Sequence, residues 1–164
     1  MIHIIESIDI APILKEYDSL EKDIVWYEAG SKKQTGLQYL EGEDQWISAT
    51  GKSRKDIAET QFTLINPFFK NTIFETLIVK FKLLRARLMW VGPHSTYSMH
   101  RDTTPRIHIP MITNPDCYFV FQKGIVKHLP TGHVYWINTM DKHTFMNCSE
   151  QSRLHLIGVT ESML

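Results

Sequence analysis

Residues 106–112 read RIHIPMI, and residues 153–159 read RLHLIGV. Strand side chains alternate between two faces, so in each run Arg and His share one face and Ile or Leu the other. The Ile107/Ile109 and Leu154/Leu156 faces need an apolar cover. The Arg106/His108 and Arg153/His155 faces would turn into the mouth of a rolled sheet. Two arginines there are costly unless they meet an anion.

The rest of residues 83–164 has the same character. LRARLMWVG, CYFVFQ and HVYWIN are short runs rich in β-branched and aromatic residues. GPHS, TNPD, LPTGH and NCSEQS punctuate them with turn residues. Five or more such strands predict an antiparallel sandwich or jelly roll. Upstream, APILKEYDSLEKDI repeats its apolar residues at helical spacing, and NTIFETLIVKF sets Thr72 three residues before Glu75, a capping-box signature. KKQTGLQYL predicts a short strand or hairpin around Gly36. The expectation is one domain over residues 1–164. Residues 1–82 would be mostly helical support with a candidate substrate loop. Residues 83–164 would form the jelly-roll core, covered on one face by the helices.

Bulk numbers exclude several classes of function. Eighteen basic residues balance eighteen acidic ones, so no global field favours nucleic acid or an anionic membrane. The N-terminus MIHIIESIDIAPILKEY has no basic start, and Glu6 and Asp9 interrupt any apolar core, so no secretory peptide is expected. Cys117 and Cys148 lie far apart without CxxC spacing, which points to free thiols in a cytoplasmic protein.

The polar residues of 97–111, YSMHRDTTPRIHIPM, suggest a site. His100-x-Asp102 sets an imidazole and a carboxylate on one side of an extended segment. In HTFMNCSEQSRLH, residues 143–155, His143 and Arg153 stand ten apart with a turn between them. An antiparallel hairpin would make them cross-strand neighbours on one face. His100, Asp102 and His143 then form a two-histidine, one-carboxylate triad with open positions, as in non-heme Fe(II) oxygenases. Arg153 would hold the far carboxylate of a chelating 2-oxo acid. A His-x-Asp alone is expected by chance about 0.4 times in this composition, so the weight rests on the combination.

HRDTTPRIHIPM followed by HTFMNCSEQSRLHLIGV resembles the Fe(II)/2-oxoglutarate-dependent oxygenases, and within them the aspartyl/asparaginyl β-hydroxylase-like group. The resemblance covers about 70 residues, from PHSTYSMH to RLHLIGV. It implies a double-stranded β-helix of cupin type, with Fe(II) on His100, Asp102 and His143. It further implies 2-oxoglutarate on Arg153, with Arg106 and His108 supporting it, and O2 as co-reactant. The enzyme that names the group lacks the carboxylate ligand that Asp102 supplies here. The implied activity is hydroxylation of a free amino acid, or of a side chain on a short peptide or protein, with succinate and CO2 as coproducts.

Other residues keep two readings. Arg85 and Arg87 share a predicted strand face and would bind a substrate carboxylate or form structural ion pairs. Gln38, beside Gly36, would line a substrate loop or belong to a plain hairpin. A cupin-like metal-binding or protein-interaction module, or a zinc hydrolase, is the rival to the oxygenase; none of these needs Arg153.

Overall fold

The computed structural model describes residues 1–51 and 56–161. In chain order they form β1 (Ile2–Ser7), α1 (Ala11–Leu20), β2 (Tyr27–Ala29), β3 (Lys32–Gly36), β4 (Gln38–Tyr39), β5 (Leu64–Ile65) and α2 (Ile73–Lys80). The second half holds β6 (Leu84–Val91), β7 (Ser95–Thr96), β8 (Arg106–Ile112), β9 (Cys117–Phe121), β10 (Val126–Lys127), β11 (His133–Ile137), β12 (His143–Asn147) and β13 (Arg153–Val159). Among the described residues, no helix is long and apolar enough to cross a membrane.

Two antiparallel sheets face each other. One runs β1-β11-β8-β13-β6-β3-β2, the other β10-β9-β12-β7, and β4 and β5 make a separate pair. This is the cupin-like double-stranded β-helix, with β8 and β13 at the centre of the large sheet.

The alternation in those two strands does what the sequence requires. Ile107, Ile109, Leu154 and Leu156 pack with Ile13 and Tyr17 of α1 and Phe74, Leu77 and Ile78 of α2. On the other face a second core between the sheets gathers Met89, Phe119, Phe121, Phe145 and Ile157. Both helices are fixed by polar contacts as well as by burial. Trp90 Nε1 donates to Tyr17 Oη at 3.1 Å, and Tyr17 Oη donates to Glu21. Thr72 Oγ1 caps α2 by accepting from the Phe74 N–H, while Glu75 reaches past it to accept from Asn71 N–H.

Two expectations are corrected. Residues 1–82 are less helical than the periodicity suggests, with helices of ten and eight residues among five short strands. Strands of two to six residues with mixed burial leave little period to read, and β1, an edge strand, escapes notice altogether. KKQTGLQYL does contain strand, but the turn into β3 is at Gly30–Ser31. Gly36 is tight for another reason: a Cβ there would lie 3.0 Å from the carbonyl oxygens of Gln38 and Gln45.

The second correction concerns residues 143–155, which do not form a hairpin. β12 pairs with β9 and β7 in the small sheet, whereas β13 pairs with β6 and β8 in the large one. The five intervening residues carry the chain from one sheet to the other. Asn147 ties the crossing, its Nδ2 donating to the carbonyls of Val91, Gly92 and Gln151 while its Oδ1 accepts from Ser149 N–H.

Gly158 marks where β13 meets the entry to β6. A Cβ there would stand 2.9 Å from Leu83 Cβ, an atom next to the backbone that no rotamer change can move away. Gly158→Ala is therefore expected to cost about 1–3 kcal/mol by overpacking, read as a lower urea midpoint at unchanged m-value.

Candidate metal centre

His100 lies just outside the small sheet, pinned to the start of β12. His100 and His143 exchange both backbone hydrogen bonds, at 2.9 and 2.8 Å. Two residues on, Asp102 N–H donates to the Thr139 carbonyl at 2.9 Å. This short extended stretch brings three donor side chains together, with ligand atoms of His100, Asp102 and His143 all within 4.8 Å of one another. His100 Nε2 is 3.7 Å from Asp102 Oδ1, and His143 Nε2 is 4.0 Å from Asp102 Oδ2.

The backbone also sets the tautomers. Nδ1 of His100 lies 2.7 Å from the Ser98 carbonyl, and Nδ1 of His143 lies 2.9 Å from the Asp141 carbonyl. A carbonyl only accepts, so each Nδ1 carries the proton, and each Nε2 turns a lone pair toward the shared point. Burial lowers the His143 pKa, which favours the neutral, ligating form. Two imidazole nitrogens and a carboxylate suit Fe(II) or another divalent first-row metal.

The cavity between the sheets, about 190 Å³, is lined by these three residues and by Arg87, Tyr97, Arg106, His108, Phe145 and Arg153 among others. Arg153 is 1% exposed and lies over the Phe145 ring, 3.4 Å from its centroid. Its Nε and Nη1 have no hydrogen-bond partner, and neither does the buried Tyr97 hydroxyl. Burial pushes the Arg153 guanidinium down to about 9, which shows how badly a lone cation is held there. A carboxylate supplies the charge and the acceptors that this guanidinium lacks. The structure thus sets His143 and Arg153 on facing sheets of one cavity rather than side by side on one.

His108 and His155 meet on the floor, Nδ1 to Nδ1 at 3.3 Å, so one donates and the other accepts. Burial first, then the Arg153 charge, holds both well below the ordinary histidine value, hence neutral. His108 lines the cavity.

Arg106 does not have the free guanidinium expected of a cosubstrate residue. Nε pairs with Asp102 at 3.2 Å, Nη2 with Glu59 at 2.8 Å, and Nη1 with Thr104. It acts as a strut that positions the Asp102 carboxylate. Glu59 takes Arg106, Arg85 and the hydroxyls of Thr103 and Thr104. No sequence signal pointed to Glu59, a lone carboxylate 26 residues from Arg85 and 44 to 47 from Thr103, Thr104 and Arg106. Burial would raise its pKa, but Arg106, Thr104 and Arg85 outweigh burial and bring it from 4.5 to about 2.

A carboxyl held so far down contributes stability above its unfolded value and loses it as the pH falls. The contribution, about 3 kcal/mol, is present in full above pH 5 and gone by about pH 2. Glu59→Gln should therefore lower the urea midpoint at neutral pH and flatten the acid limb of the wild-type stability curve.

Two further expectations change. Arg85 does not share a face with Arg87. Its φ of 50° kinks the start of β6 and turns the side chain to the carbonyls of Ala49 and Thr50 and to Glu59, leaving Arg87 in the cavity. Gln38 is not among the cavity residues. Its Oε1 accepts from the Ala86 N–H and its Nε2 donates to the Thr63 carbonyl, so it braces β6.

The model of the aspartyl/asparaginyl beta-hydroxylase family matches residues 11–160. No curated protein matches the sequence. Among solved structures, an oxidoreductase of the 2OG-Fe(II) oxygenase family from Burkholderia pseudomallei superposes with a TM-score of 0.66 at 12% identity, covering 98% of this chain and 85% of its own. A cupin domain from Bordetella pertussis Tohama I aligns over 46% of this chain and 79% of its own at 19% identity, with a TM-score of 0.40.

Proposed function

The chain belongs to the aspartyl/asparaginyl β-hydroxylase family, and from that premise and the geometry of the cavity we propose a non-heme Fe(II), 2-oxoglutarate-dependent dioxygenase. It hydroxylates an amino-acid or peptidyl side chain and releases succinate and CO2. The observation that carries this reading is buried Arg153, its Nε and Nη1 without partners, in the same cavity as His100, Asp102 and His143. The 2OG-Fe(II) oxygenase family name of the Burkholderia structure points the same way.

His100, Asp102 and His143 hold the metal. Arg153 receives the far carboxylate of 2-oxoglutarate, with the Tyr97 hydroxyl at hand as a donor and neutral His108 beside it on the floor. Fe(II), 2-oxoglutarate and O2 together supply the oxidising power that hydroxylates a C–H bond. The chain's own part is to fix the ligand lone pairs through Ser98 and Asp141, to hold Asp102 through Arg106, and to wall the site with Phe119 and Phe145. A metal-only module or a zinc hydrolase leaves the Arg153 charge unanswered. With two free cysteines, we place the protein in the cytoplasm.

Anaerobic titration of the Fe(II)-loaded protein with 2-oxoglutarate should develop the metal-to-ligand charge-transfer band. Admitting O2 in the presence of amino acids and peptides should then yield succinate. Absence of both the band and succinate from metal-loaded protein would overturn the oxygenase reading.

A further inference from the structure

Three guanidiniums line the cavity, those of Arg87, Arg106 and Arg153, against the single carboxylate of Asp102. Arg106 is matched by Asp102 and Glu59. Arg153 is matched, on the oxygenase reading, by 2-oxoglutarate. Arg87 is left over. Its Nη1 donates to the Arg85 carbonyl at 3.3 Å, and its buried Nε has no partner. Bound metal and diacid cancel in charge, so loading the site does not neutralise Arg87. A desolvated guanidinium without an anion is costly, and an occupant that supplies one is favoured.

The two unmatched cations stand on different rows of the large sheet. On β6, Arg87 lies opposite Ile157 of β13 and Gly36 of β3, whereas Val91 is the residue opposite Arg153. Four residues of strand separate those positions, roughly 13 Å at the usual rise. Their electrical surroundings differ accordingly. Arg87 feels Arg85, Arg106, Glu59 and Asp102, Arg153 feels Tyr97 and Cys117, and the Tyr97 and His108 side chains between them feel both cations. A five-carbon diacid anchored on Arg153 thus leaves Arg87 for a second anion. Arg87 shares its row of the sheet with His108, since both face Ile157, and it feels the charge of the triad carboxylate Asp102. The cavity is also small, below the roughly 300–1,000 Å³ of drug-sized ligand sites.

We propose that Arg87 binds a carboxylate of the substrate, and that the substrate is a small molecule with a free carboxylate, of the size of an unblocked amino acid. The proposal rests on the oxygenase reading for the role of Arg153. It makes Arg87 a specificity residue, with the acid group as the feature selected. Gln34 and Gly51 line the same cavity and bound the space left for the rest of the molecule.

The test is calorimetric titration of Fe(II)-loaded, 2-oxoglutarate-saturated protein, kept anaerobic, with the twenty free L-amino acids and their primary amides. At least one acid should bind, and its amide at least about tenfold more weakly. Arg87→Met should weaken the acid by about tenfold or more and abolish the acid-over-amide preference, with 2-oxoglutarate affinity within about twofold of wild type. Arg87→Lys should fall between the two, and it serves if the Met variant misfolds. Equal binding of acid and amide by the wild type overturns the proposal. So does binding of end-blocked peptides but of no free amino acid. A larger loss of 2-oxoglutarate than of amino-acid affinity in Arg87→Met also overturns it, by moving Arg87 into the cosubstrate pocket. Failure of the wild type to bind 2-oxoglutarate at all is a different result, and overturns the oxygenase reading instead.

Discussion

Arg153→Met is expected to separate stability from function in opposite directions. In the Fe(II)-loaded, anaerobic protein, 2-oxoglutarate affinity should fall by about 100-fold or more, because two charge-assisted hydrogen bonds of about 1.5–3 kcal/mol each disappear. In the unloaded protein the same change should raise the urea midpoint. Arg153 is 1% exposed with Nε and Nη1 unpartnered, so the native state carries a desolvated charge that methionine lacks. Replacing a buried ion by a hydrophobic side chain is often neutral or stabilising by 1–4 kcal/mol. Loss of the contact with the Phe145 ring returns about 1 kcal/mol of that. A net gain of about 1 kcal/mol is the expected result. A methionine variant that binds 2-oxoglutarate like the wild type would place the clamp elsewhere. A variant less stable by several kcal/mol would mean that the guanidinium is a structural group whose partners are protein atoms.

The parts of the fold and site that were legible in the sequence are those where local chemistry and tertiary role coincide. RIHIPMI and RLHLIGV are buried on both faces, yet their two faces differ so sharply in polarity that the alternation alone placed the helices on one side and the arginines on the other. His100 and Asp102 were legible because their pairing is set by a two-residue spacing. The errors arose where the partner comes from far along the chain. Residues 143–155 have the length and turn residues of a hairpin, but the free edges of the two sheets, built from β6, β8 and β9, decide where β12 and β13 pair. The ion pairs of Arg106 with Asp102 and Glu59 were not foreseen, the second because nothing nearby in sequence announces Glu59. The same carboxylate, with the φ of Arg85, draws Arg85 off the face it was expected to share with Arg87. Between a substrate loop and a plain hairpin, nothing local places Gln38, and a polar side chain with two functions can satisfy an unpaired N–H and carbonyl in a buried corner, as it does with Ala86 and Thr63.

Asp102→Ala is the second change with a large expected effect, and it tests whether the triad and the strut can be told apart. The carboxylate has two duties: one oxygen on each side approaches an imidazole, and Oδ2 also receives Arg106 Nε. Loss of one ligand of three should weaken divalent metal binding by about 100-fold or more, since even outer-shell changes cost 10–100-fold. Mn(II), which needs no protection from air, serves as the probe. At a concentration 100 times the wild-type Kd, a metal that binds only the folded state adds about 2.7 kcal/mol, so wild-type protein should gain several degrees in Tm and Asp102→Ala at most about 1–2 °C. His143→Ala should lose the metal response equally. The two variants should part company without metal. Asp102→Ala strips one anion from a guanidinium that is only 5% exposed, and Glu59 offsets part of that loss, so about 1–3 kcal/mol of stability should go. His143→Ala breaks no ion pair with Arg106, and its cost should be that of lost packing against Phe119 and Phe121. Glu59→Gln is the converse case, destabilised without metal yet still raised in Tm by Mn(II), because His100, Asp102 and His143 are intact. If Glu59→Gln also lost the metal response, the carboxylate position would depend on the whole Arg106 network, and ligand and strut would be one cooperative unit rather than two layers.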